Sequence, residues 1–135
     1  MPILTAKIEL EKRLKNQFPS TPIAFEAVSF TPPSDQLYLA VQMKIDRPDD
    51  PVLGSKYRRE NLSFQVFVCG LTNVGMQETL TFARNISELY KRGTTIVSSN
   101  YRIQVFNTPQ IAGSVVADNR VIVPVLIPVT VEVYN

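Results

Sequence analysis

The chain ends on "NRVIVPVLIPVTVEVYN", and no other stretch limits the possible fold as much. Val121, Val123, Val125, Ile127, Val129, Val131 and Val133 share one parity, so a strand through them carries one continuous apolar face. Pro124 and Pro128 share the opposite parity. Proline has no N–H, and successive backbone N–H groups of a strand point to alternate edges, so both missing donors fall on the same edge. That edge cannot hold a full ladder: it is a sheet margin, or it meets other elements only in part.

Other segments repeat the alternation. In "LYLAVQMKI", Leu37, Leu39, Val41, Met43 and Ile45 share a face, with Tyr38, Gln42 and Lys44 on the other. In "LSFQVFV", Leu62, Phe64, Val66 and Val68 point inward, and Ser63 and Gln65 outward. These two runs predict a long antiparallel hairpin with residues 46–60 as its tip. "IAFEAVSF" (Ile23 to Phe30) is a short strand candidate closed by the turn "TPPSDQ", and "TTIVSS" and "YRIQVFN" give two more strands.

Two segments carry helical periodicity instead. Ala6, Leu10, Leu14 and Phe18 recur every four residues, which predicts a helix over Thr5 to Phe18, stopped by Pro19 and Pro22. A second helix is predicted over Gly75 to Arg92, with an apolar stripe of Leu80, Phe82, Ala83, Ile86, Leu89 and Tyr90. Asn73 is its expected cap, Lys91 and Arg92 suit the negative end of its dipole, and Gly93 is a natural stop. The order helix, strands, helix, strands implies one α+β domain over residues 1–135, with two helices packed on one face of a mainly antiparallel β-sheet.

Composition narrows the chemistry. The 135 residues are 44% hydrophobic and 19% charged, as expected of a folded chain, and the net charge of +2 is weak for a domain built to grip nucleic acid. There is no histidine, which removes His-based acid–base catalysis, Ser-His-Asp triads and His-rich zinc sites. The single cysteine, Cys69, has no histidine to act as its base and reads as a packed strand residue. No catalytic, cofactor-binding or metal motif is present, so we expect a protein that is not an enzyme and needs no cofactor. The N-terminus lacks the apolar core of a signal peptide, and no segment approaches the ~20 apolar residues of a membrane span. Synthesis and folding in a cytoplasm are expected.

The hairpin tip is the candidate site. "PDDPVLGSKYRRE" is acidic first (Asp49, Asp50), broken at Gly54, then basic and mixed (Lys56, Tyr57, Arg58, Arg59, Glu60). It is not a phosphate loop, because alternating "LSFQVFV" follows Gly54 rather than a helix N-terminus. Three readings stay open: a solvated tip with local ion pairs, a nucleic-acid contact through Lys56, Tyr57, Arg58 and Arg59, and an assembly surface.

The order of motifs also carries a resemblance. "FEAVSFTPP", "LYLAVQM", "PDDPVLGSKYRRENLSFQVFV", "LYKRGTTI", "YRIQVFNTP" and "VIVPVLIPV" follow the N-terminal helix in turn. The whole resembles small bacteriophage and prophage proteins similar to lambda-type tail terminator (tail completion) proteins. The resemblance covers nearly the entire chain and includes no catalytic motif. It implies a structural virion protein made in the bacterial host cytoplasm and placed at the head–tail junction. There it would form a homo-hexameric ring on the head-proximal end of the tail tube, stop polymerisation and join the head connector. The implied partners are further copies of itself, the major tail tube protein and a head–tail connector protein, with no small-molecule substrate, membrane or specific nucleic acid. A neck or connector protein is the alternative. The stretches that match the family pattern, Gly54 to Glu60 and Arg92 to Thr95, are its implied assembly elements. In such a ring Asp49 and Asp50 of one subunit are expected to face Lys56, Arg58 or Arg59 of the next.

Overall fold

The computed structural model describes residues 2–48, 57–72, 76–97, 100–117 and 119–134. Helix α1 spans Pro2–Gln17 and begins on a proline, whose fixed φ suits a first helical turn. Strands β1 (Ile23–Ala24), β2 (Tyr38–Ile45) and β3 (Tyr57–Leu71) follow, then helix α2 (Gln77–Leu89). Strands β4 (Thr95–Val97), β5 (Tyr101–Val105), β6 (Gln110–Ile111), β7 (Val115–Ala117) and β8 (Arg120–Tyr134) complete the fold. The sheet runs β1-β2-β3-β8-β5-β4, with β6 and β7 also paired to β8. Every pairing is antiparallel except β1 with β2, so the α+β expectation holds.

The two prolines of β8 explain its surroundings. Toward β3 the ladder is unbroken from Tyr57↔Tyr134 to Leu71↔Arg120. The other edge is met in three pieces, by β5 at 129–133, β6 at 125–126 and β7 at 120–122. The gaps include both prolines. The Pro124 carbonyl accepts from the Ala112 N–H at 2.9 Å, and a strand residue's N and C=O point to the same edge. The missing donors of Pro124 and Pro128 therefore face the segmented side, where an unbroken partner strand would be left with unanswered carbonyls.

The odd residues of β8 form the floor of the core, with Val123, Val125, Ile127, Val129 and Val131 fully buried. They sit in register with the inward residues of β3, for example Phe64↔Ile127 and Val66↔Val125. Both helices cover this face: Ala6, Leu10 and Leu14 from α1, and Ala83, Ile86 and Tyr90 from the α2 region, join the same cluster. Each of the buried leucines, isoleucines and valines contributes ~1.5–3 kcal/mol through burial. Rings tie the layers together, Phe18 to Phe82 at 5.1 Å and Phe64 to Tyr90 at 5.6 Å between centroids.

Several local expectations change. The strand candidate over Ile23 to Phe30 is extended only at Ile23–Ala24; the chain turns at Ala27, whose φ is 62°. Helix α2 is shorter than the predicted 75–92, and Met76 rather than Asn73 holds its N-cap position, with no side-chain cap bond. Asn73 and Gly75 lie outside the described residues. Lys91 and Arg92 fall beyond the last turn; Arg13 of α1 instead donates to the Leu89 carbonyl at 3.2 Å. Leu80 is 45% exposed, and Thr79 takes its place on the buried stripe. That placement has a close-approach reason: a Cβ at Gly70 of β3 would collide with the Thr79 hydroxyl, so glycine lets α2 cross there without displacing that side chain.

Candidate assembly surface

The hairpin forms as expected, from Tyr38↔Cys69 to Ile45↔Leu62, with the Asp46 N–H bonded to the Asn61 carbonyl. Its tip does not reach residue 60. Tyr57 to Glu60 continue as strand because β8 runs on to Tyr134 and gives them a partner that β2 cannot. The basic half of the candidate site is thus sheet, not loop. Asp49, Asp50, Gly54 and Lys56 lie outside the described residues.

Strand alternation separates the remaining candidates. Arg58 and Glu60 share the helix side, opposite Val133 and Val131, and the Arg58 Nε donates to Glu60 Oε1 at 3.1 Å. Glu60 is the more buried partner, with its side chain 13% exposed against 40% for Arg58. Arg59 points to the helix-free side, in register with Glu132, which in turn sits beside Arg102 of β5. One cross-strand row therefore reads Val97, Arg102, Glu132, Arg59, with two cations around one carboxylate. The Arg102 Nε is buried without a hydrogen-bond partner.

The adjacent row is polar: Thr95, Gln104, Thr130 and Asn61. The Asn61 Nδ2 donates to the Arg47 carbonyl at 2.9 Å. Arg59, Asn61, Gln104, Phe106, Thr130 and Glu132 line a shallow open depression. One residue from each stretch singled out by resemblance thus lies on the same sheet face, Arg59 on β3 in the first row and Thr95 on β4 in the second, with β8 and β5 between them. The rest of Arg92 to Thr95 is a turn: Gly93, at φ 92°, donates to the Val105 carbonyl, and the Thr94 hydroxyl donates to the Lys91 carbonyl.

Two groups escaped the sequence reading. Arg120, at the start of β8, is buried on the helix-free side. Its Nη1 donates to the Gln36 carbonyl at 2.6 Å and its Nη2 to the Pro33 carbonyl. Its guanidinium also lies 5.0 Å from the centre of the Tyr38 ring. At the opposite margin, the Lys7 Nζ sits 2.8 Å from Glu26 Oε1 and 3.6 Å from Glu11 Oε2, and Glu26 also accepts the Met43 N–H of β2. That carboxylate occupies a donor on the outer edge of the sheet, where another chain's strand would otherwise pair.

Cys69 is buried, and burial pushes its thiol pKa up, against the opposing influence of Tyr38 and the positive Arg120. A thiol held protonated is a poor nucleophile. Among the described residues no three His, Cys, Asp or Glu side chains are grouped to hold a metal ion, and no helix is long and apolar enough to cross a membrane. The surface offers charged and polar side chains, most of them half-buried, on a continuous sheet, which suits a macromolecular contact.

This is the architecture of a small α+β protein with a mainly antiparallel sheet. Residues 7–128 match the model of the phage tail terminator protein family, and the chain belongs to that family. A solved structure with 23% sequence identity superposes with a TM-score of 0.71 over 93% of this chain and 92% of that one, and so shares the fold. No curated protein sequence matches the chain. As a family member the protein is a structural component of a phage tail.

Proposed function

We propose that the protein closes the tail tube: copies assemble as a ring at its head-proximal end, stop polymerisation and present a surface to the head connector. Family membership supports the tail role, and the helix-free sheet face supports the ring. The observation that carries the ring reading is the Arg102–Glu132–Arg59 row, a net positive strip on a stiff, helix-free surface. Heterologous contacts close rings by joining unlike patches, and opposite charge chiefly sets their register. An acidic stretch such as Asp49 and Asp50 of the next copy has the sign to meet this strip. Arg58 bonds its own Glu60 on the helix side, while Arg59 lies on the helix-free face beside Glu132.

Light scattering at physiological salt, on the protein alone and with tail tubes, tests this reading. Arg59→Glu is expected to shift the protein toward smaller species, whereas Arg58→Glu is expected to leave oligomer size nearly unchanged. Unchanged size in Arg59→Glu would remove the charge row from the interface.

A further inference from the structure

Residues 30–36 cross the Tyr38 end of the helix-free side without joining a strand or helix. They make no backbone–backbone hydrogen bond among the described residues, and Pro32 and Pro33 have no N–H to offer. Among the described residues two side-chain attachments hold the segment. The Phe30 ring packs against the Tyr38 ring at 5.3 Å between centroids. The Arg120 guanidinium bonds to the Pro33 and Gln36 carbonyls, and its Nη1 also reaches the Cys69 carbonyl at 3.5 Å.

We propose that residues 30–36 form a strap that opens while the sheet stays folded, with Arg120 as its latch, and that opening bares Tyr38 and the Cys69 thiol. Segments with few backbone bonds and few buried contacts open at a lower free energy than core strands. The latch itself favours reversibility. Among the described residues Arg120 has no carboxylate partner, and all its acceptors are neutral carbonyls. A buried cation satisfied only by carbonyls regains hydration when it is released, which offsets part of the bonds lost. The β3–β8 ladder beneath is continuous and does not depend on the strap. This device stands independently of the ring reading.

Cys69 is the single cysteine and is therefore its own reporter. In native-state labelling with a disulfide-exchange reagent, the intact protein is expected to react at a rate insensitive to low urea, while amides of β3 and β8 keep their exchange protection. Arg120→Met is expected to label about tenfold faster, since charge-assisted hydrogen bonds to the strap are lost. The sign is informative, because removing the positive charge by itself pushes the thiol pKa further up and slows the reaction. Phe30→Ala, which loosens the other attachment and leaves the latch in place, is expected to accelerate labelling as well. Labelling that follows the global unfolding slope, or equal rates in Phe30→Ala and the intact protein, would overturn the strap.

Discussion

The Tyr90 hydroxyl, just past the end of α2, donates to the Leu10 carbonyl in the middle of α1 at 2.5 Å, and both side chains are buried. This bond crosses between the two helices above the sheet, with the Tyr90 ring tilted on Phe64. Tyr90→Phe keeps the ring and removes the donor. Leu10's carbonyl belongs to a helix interior, so the loss is expected to be about 1 kcal/mol in urea denaturation. Burial pushes the Tyr90 pKa well above its ordinary value of 10.0. An acid whose folded pKa is raised contributes stability that is present below the unfolded pKa and fades as pH rises beyond it. The intact protein should therefore lose stability above pH 10, and Tyr90→Phe should lose less over the same range.

At the α2–β3 crossing, Gly70→Ala places a methyl group against Thr79. The expected cost is ~1–3 kcal/mol from overpacking. Thr79→Ala removes the obstructing hydroxyl, so the double variant should be more stable than the two single losses added together. Additive losses in denaturation would mean that the crossing does not limit this site.

The acid limb of stability is assigned to the α1–β2 margin. The Lys7 hydrogen bond, helped by the Met43 N–H, holds the Glu26 carboxyl below its ordinary value of 4.5. A lowered carboxylate pKa gives stability that is present above that value and lost as pH falls through the folded pKa. Glu11 works the other way: burial raises its pKa, so its protonation at falling pH relieves a cost. Glu26→Gln should accordingly flatten the loss of thermal stability below pH 4.5, whereas Glu11→Gln should remove a gain in stability that the intact protein makes as pH falls toward 4.5 from above. Melting temperatures across the acid range check both signs.

Much of the sheet was legible because its signals are periodic. Parity in β8 identified the buried face, and the two prolines implied either a sheet margin or a side met only in part; the second holds, with β5, β6 and β7 as those parts. Strands β6 and β7 themselves were not foreseen. They are two and three residues long and mostly exposed, too short for alternation to show. The candidate site was half legible. Arg58, Arg59 and Glu60 stood out as charges, but their strand character depends on a partner far along the chain, and only register tells that Arg59, rather than Arg58, lies beside Glu132. Arg120 left no local trace because its acceptors are backbone carbonyls of a loop remote in sequence. Carbonyls look the same whichever side chain carries them.

The central claim concerns where the protein acts in the virion, and electron microscopy of particles produced without it tests that most directly. Loss of a tail-closing ring leaves polymerisation unchecked, so the predicted result is tails of uncontrolled length, restored to uniform length when the protein is supplied. Tails of normal length lying detached beside full heads would contradict the claim and assign the protein to the neck.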